Sequence, residues 1–203
     1  MLAKDKFSEK NKIFFSLFLF FFLTNTSFAI STIDKVKEDL TGYNNNLENS
    51  SMYFIQTDKK TLEEGILFIG KNRIKVEYNK PKEITLVFSK RKGMYVNHEL
   101  REVEYFLTNK SLVKVFFKIL AGSDFFDDSK ITLLENAIIL QNNIVLDEMN
   151  YLIEVSYENK PVKIRKIKLQ GRDYFLEIGF FNHLEQLFLE KNFFSMADPF
   201  LVN

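Results

Sequence analysis

From Met52 onward, large apolar residues recur at every second position in short runs, and this rhythm constrains the chain more than any other feature. The runs are Met52-Phe54-Gln56, Ile66-Phe68, Ile74-Val76-Tyr78 alternating with Lys75 and Glu77, Ile84-Leu86-Phe88, Met94-Val96 and Val103-Tyr105. Between them stand turn residues: Asp58-Lys59-Lys60, Gly70-Lys71-Asn72, Asn79-Lys80-Pro81 and Lys90-Arg91-Lys92-Gly93. A period of two sends alternate side chains to opposite faces of a strand. Connections this short join neighbours as antiparallel hairpins, one face on an apolar layer and the other in water.

Two segments depart from that rhythm. Ile33, Val36, Leu40, Tyr43 and Leu47 recur at steps of three and four, and predict a helix that Gly42 and Asn44-Asn45-Asn46 end near residue 45. Ser31 and Asp34 resemble a capping pair at its start. Leu112, Val115, Phe116, Ile119 and Leu120 form a second helical stripe that Gly122 stops. Strands resume at Ile131–Glu135, Ala137–Leu140, Ile144–Asp147, Tyr151–Tyr157, Val162–Leu169 and Tyr174–Asn182, with Asn142-Asn143 read as one of the turns. About a dozen strands and two helices, without helix alternating with strand, exclude a doubly wound sheet. They predict a mainly β, α+β fold in which helices pack on one side of an antiparallel sheet, and a sheet of so many strands tends to curl.

The N-terminus reads differently. Lys4, Lys6, Lys10 and Lys12 precede the run Ile13 to Leu23, broken only by Ser16, and Ser27-Phe28-Ala29 offers small residues at a cleavage site. A helix of that length reaches about 16 Å, roughly half of a ~30 Å bilayer core. The segment therefore reads as a signal peptide, residues 1–29, ahead of a single domain at 30–203 that is exported. With Lys plus Arg 28 against Asp plus Glu 27, no basic field draws the chain to nucleic acid. The absence of Cys removes cysteine nucleophiles, thiolate zinc sites, disulfide frameworks and lipoproteins acylated on an N-terminal cysteine.

A search for chemistry finds little. His98 and His183 are the only histidines, and each reads as a solvated residue, one in a turn and one at a strand end. No nucleophile elbow or phosphate loop is present. Asp124, Asp127 and Asp128 lack the spacing of a calcium loop. No catalytic residue, metal or cofactor is expected, and the chain is read as not an enzyme. The Lys90-Arg91-Lys92 tip is a soluble turn or a docking point for an anionic partner. The predicted inward face, Phe54, Phe68, Ile74, Val76, Tyr78, Leu86, Phe88 and Met94, is either a filled core or the wall of an apolar cavity. In a cavity, each buried CH₂ of an acyl chain would contribute about 0.8 kcal/mol.

The order of these pieces resembles a known family. Phe54-x-Gln56, Glu64-Gly65-x-Leu67-Phe68-Ile69, Ile74-x-Val76-Glu77-Tyr78-x-x-Pro81, Leu86-Val87, the hairpin at Gly93 and the closing Phe194-x-x-x-Asp198-Pro199 are similar to the periplasmic outer-membrane lipoprotein carriers, the LolA family. The resemblance spans about residues 33–200 and is sharpest over 52–106. Where the family has Arg-Pro ahead of its aromatic strand, this chain has Lys71-Asn72, which keeps a charge but loses the planar fork of donors.

The resemblance implies a strongly curved antiparallel sheet forming an incomplete β-barrel covered by helices, with acyl chains held inside. It implies a cavity walled by the predicted inward face and a lid helix contributing Leu112, Val115, Phe116 and Ile119. Lys71 would be the polar contact to the lid. The implied partners are acylated lipoproteins, an inner-membrane lipoprotein-releasing ABC transporter and an outer-membrane acceptor, with the carrier a periplasmic monomer. The related receptor LolB is itself acylated on Cys, a role that this Cys-free chain cannot fill.

Overall fold

The computed structural model describes residues 32–108, 112–121, 124–146 and 148–201. The signal segment 1–29 and the capping residue Ser31 lie outside them. The chain divides after Asp34, within the first helix, and the sheet with the helical residues that cover it belongs to the unit Lys35–Asn203. The elements run α1 Thr32–Asn45, β1 Ser50–Thr57, β2 Leu62–Gly70, β3 Arg73–Lys80, β4 Ile84–Ser89, β5 Lys92–Asn97 and β6 Glu102–Leu107. Then come α2 Leu112–Ala121, α3 Asp124–Asp127, β7 Lys130–Leu133, β8 Ala137–Leu146, β9 Met149–Asn159, β10 Val162–Gln170 and β11 Phe175–Leu184.

The strands make one sheet in the order β6-β5-β4-β3-β2-β1-β11-β10-β9-β8-β7, and every pair given a register is antiparallel. Two meanders meet where β1 pairs with β11, so the first and last strands lie at the centre. The outermost strands, β6 and β7, do not pair with each other, and the barrel stays open. The chain leaves the sheet at β6 and re-enters at β7. The connection between those edges carries α2 and α3, which puts helix over the sheet rather than beyond it.

One apolar core lies on the helix-covered inner face. Val36 and Leu40 of α1, Phe117, Ile119 and Leu120 of α2, and Phe125 and Phe126 of α3 pack with Ile74, Phe88, Ile138, Leu140, Ile153, Val155 and Ile164 of the strands. Tyr43 sets its ring edge-on to Tyr157, centroids 6.0 Å apart, and its hydroxyl accepts from the Ile164 N–H at 3.2 Å. The predicted break at Asn142-Asn143 is absent. β8 runs through both residues because each finds a ladder partner in β9, Ile153 and Leu152.

Part of the outer face is covered as well. A strap of residues 187–201 crosses it, anchored where the Leu187 N–H donates to the Asn49 carbonyl at 2.7 Å. Phe194, Met196 and Phe200 cover Val87, Met94, Val96 and Val103. Phe193 packs edge-on to Phe68 at 4.9 Å and lies under the Lys75 ammonium at 4.3 Å. Arg73 Nη1 donates to the Phe194 carbonyl at 2.9 Å. Gly70 makes room for this arrangement, since a Cβ there would stand 2.4 Å from the Phe194 ring. Phe194→Ala should therefore lower stability by about 2 kcal/mol, less than a fully buried Phe because the ring is half-buried. A reduced urea midpoint at unchanged slope is the expected reading; an unchanged midpoint would mean that the strap adds nothing to the fold.

The strap explains two corrections to the inward face. In β2 the buried positions are Gly65, Leu67 and Ile69, with Gly70 buried beneath the Phe194 ring, and Phe68 points outward onto Phe193. In β5, Met94 pairs with Val87 and shares its outer, strap-covered cluster, not the side of Phe88.

Candidate functional site

Between the central strands and α2 lies an apolar cavity of about 250 Å³. Its sheet wall is Phe54 and Gln56 of β1, Leu67 of β2, Val76 and Tyr78 of β3, Leu86 and Phe88 of β4, and Leu176, Ile178 and Phe180 of β11. Leu112, Val113 and Phe116 of α2 close it from the other side, and Tyr174 stands at one end. The wall follows from pairing register. Phe54 lies opposite both Phe180 and Gly65, and Val76 lies opposite both Leu67 and Leu86, so alternate residues of five adjacent strands face one space.

Of the residues expected from sequence, Phe54, Val76, Tyr78, Leu86, Phe88, Leu112 and Phe116 line this cavity. Ile74, Val115 and Ile119 are buried in the adjoining core without reaching its wall. Phe68 and Met94 are on the other face. Gln56, Leu67, Val113, Tyr174 and the three β11 residues are additional. Leu176-x-Ile178-x-Phe180 carries the same period of two as the other wall strands, and that was the signal available for them.

Lys71 does not make the expected lid contact. It is exposed in the β2–β3 turn, next to Asn72 with its left-handed backbone, φ 54°. A bond to α2 comes instead from α1, where the buried Asn44 Nδ2 donates to the Ile119 carbonyl at 2.8 Å. The last carbonyls of a helix lack intrahelical partners, and a side-chain donor from a neighbouring helix satisfies one.

At the Tyr174 end the apolar wall becomes polar. The Tyr78 hydroxyl donates to Gln56 Oε1 at 3.3 Å, and Gln56 Nε2 donates to Glu63 Oε2 at 2.7 Å. Burial, with the Glu63 charge adding, pushes the Tyr78 phenol up to about 12. Nearby, the β1–β2 turn holds the Asp58 carboxylate below its ordinary range through bonds from the Thr61 and Lys60 N–H groups. Burial raises Tyr174, with smaller additions from Tyr151 and Asp58.

The histidines stand apart from this site. His98 Nε2 is 2.9 Å from the Thr85 hydroxyl on the outer face. His183 is not past the strand end but inside β11, its Nε2 buried without a hydrogen-bond partner. Burial first, then Arg165 and Lys163, lower its pKa against opposition from Ile164 and Glu185. The unfolded chain takes up this proton near pH 6.5 and the folded chain only at lower pH. Stability from the neutral ring is therefore present above about pH 6.5 and lost as pH falls through the folded value. His183→Gln should flatten the decline in urea midpoint below that pH; an equally steep decline would place the titrating group elsewhere. Among the described residues no three His, Asp or Glu side chains gather as metal ligands, and Asp127 instead pairs with Lys37 at 3.2 Å. Nor is any described helix long and apolar enough to cross a membrane.

Fold and cavity together define an open antiparallel sheet lidded by a crossover helix, with an apolar pocket between them. No protein-family model and no curated protein matches the sequence. Among solved structures, the chain is similar to an uncharacterized conserved protein from Thermus thermophilus, with TM-score 0.54 and 8% identity over 81% of this chain and 96% of that one. That likeness is one of fold. Weaker similarity is found to the Pseudomonas aeruginosa MucA/MucB complex, with TM-score 0.47 and 9% identity over 80% of this chain and 61% of that one. A structure of MucB in complex with MucA(peri) gives TM-score 0.45 and 8% identity over 80% and 59%.

Proposed function

We propose that this chain is a periplasmic carrier that holds the acyl chains of lipoproteins in the cavity beneath α2. It takes them from an inner-membrane ABC transporter and yields them to an acceptor at the outer membrane. No ATP, metal or covalent step is required of it, and it is not an enzyme. The observation that carries this reading is the apolar space between α2 and the central strands, in a chain whose motif order resembles the lipoprotein carriers. Each CH₂ buried there contributes about 0.8 kcal/mol, before the costs of ordering.

At about 250 Å³ the cavity is slightly below the ~300–1,000 Å³ usual for small-ligand pockets. Loading more than one chain therefore requires α2 to move off the sheet, which breaks the Asn44 bond to Ile119. Closure over an empty or partly filled pocket restores that bond, so the latch opposes loading and assists release.

The test is to express the full precursor with a C-terminal tag, recover it from the periplasm without detergent and analyse it by native mass spectrometry. Acylated lipoproteins dissociating from the protein are the expected result. Phospholipid alone would replace lipoprotein with another lipid cargo. A bare protein mass that stays unchanged after incubation with lipoprotein would overturn the carrier reading.

A further inference from the structure

The cavity is apolar along its length but polar at one end, and the polar groups there are ordered in one direction. Tyr78 has a single hydroxyl proton, which it gives to Gln56. Gln56 gives an N–H to Glu63. Along this chain every proton points toward the carboxylate. What remains is mostly acceptor capacity: the second oxygen of Glu63 and the lone pairs of the Tyr78 oxygen, against one N–H of Gln56. Burial keeps the Tyr78 phenol protonated well above neutral pH, so the direction of the chain persists across the physiological range.

The charges nearby reinforce this polarity. Asp58 opens the β1–β2 turn two residues beyond Gln56, so a second carboxylate stands at the same end of the strand. Three nearby cations are engaged elsewhere. Lys59 sits over the Phe175 ring at 4.4 Å and Lys168 at 5.8 Å, and Phe175 alternates with the cavity residues Tyr174 and Leu176. Lys80 is paired with Glu64, next along β2 from Glu63 and therefore on the opposite face. Tyr174 is 39% exposed, so this end of the cavity reaches solvent.

We propose that Tyr78, Gln56 and Glu63 form a headgroup subsite that selects acyl ligands bearing a neutral or cationic hydrogen-bond donor beside the chain, an amine or hydroxyl, and rejects anionic headgroups. This inference rests on the carrier reading of the cavity and adds to it a chemical preference. A donor group at the end of an inserted chain meets free acceptors and a negative charge. A carboxylate or phosphate meets like charge and a single free donor, the second N–H of Gln56, and loses most of its hydration without replacement.

The test uses the protein recovered from the periplasm after expression of the full chain, loaded with the uncharged fluorescent probe N-phenyl-1-naphthylamine. The competitors are dodecylamine, dodecanol and dodecanoate, each below its micellar concentration at pH 8. Dodecylamine is expected to displace the probe at a concentration at least tenfold lower than dodecanoate, with dodecanol between them. Glu63→Gln, at a half-exposed position, should bring amine and carboxylate within about twofold of each other while the alcohol is little changed. Equal displacement by all three in the unaltered protein would overturn the subsite and leave the cavity standing. A tenfold preference that survives Glu63→Gln would overturn its assignment to this carboxylate. Failure of every competitor to displace the probe would remove the cavity reading beneath it.

Discussion

Val76→Phe combined with Val113→Phe should weaken binding of a single-chain acyl ligand at least tenfold while leaving the fold intact. The two residues face the same cavity, one from β3 and the other from α2. Added rings enter empty space rather than close-packed core, so the usual penalty for overpacking is reduced and stability should stay within about 1 kcal/mol. A tenfold loss corresponds to about 1.4 kcal/mol, less than two buried methylenes contribute. Phe68→Ala is the matched control from the other face. It removes the contact with Phe193 and lowers the urea midpoint, yet affinity for the same ligand should be unchanged. Loss of binding in the Phe68 variant, with none in the double variant, would place the ligand on the strap side.

Gly65→Ala should destabilise the protein by about 3 kcal/mol, at the upper end of ordinary overpacking. Gly65 lies in β2 opposite Phe54 on one side and Tyr78 on the other, where the ladder with β3 shifts register. A Cβ there would stand 2.1 Å from the Glu77 carbonyl oxygen and 2.9 Å from the Phe54 ring. Since the nearest atom belongs to the backbone, relief requires the two strands to separate. Gly42 gives the opposite sign. It sits in α1 with nothing within 4 Å of the new methyl, so Gly42→Ala should stabilise by about 0.5–1 kcal/mol through helix propensity. Urea midpoints moving apart in these directions are expected; a Gly65→Ala protein as stable as the parent would mean that β2 and β3 are not packed this closely.

The inward face was legible wherever one face of a strand is polar. Lys75 and Glu77 alternate with Ile74, Val76 and Tyr78, and the structure puts the apolar set against the helices. Ile66-Leu67-Phe68-Ile69 offers no such contrast. The strap makes the outer face of β2 apolar as well, so period two alone could not choose between the two parities, and the same holds for Met94 in β5. The β11 wall depends on pairing between β1 and β11, strands separated by nearly the whole domain. A periodic run shows that a strand exists but not which neighbour it takes. Asn44 was readable only as a weak helix residue in an Asn run, because its bond to Ile119 joins two helices distant in sequence.

The central claim is that acyl chains lie between α2 and the inner face. It is tested most directly by methyl-labelled NMR of the domain with a perdeuterated background and a protonated twelve-carbon ligand. Intermolecular NOEs from the ligand chain to the methyls of Leu67, Val76, Leu86, Val113, Leu176 and Ile178 are expected, since all six line the one cavity. Contacts confined to Val87, Met94 and Val96 beneath the strap, or no contact to any inner-face methyl, would contradict it.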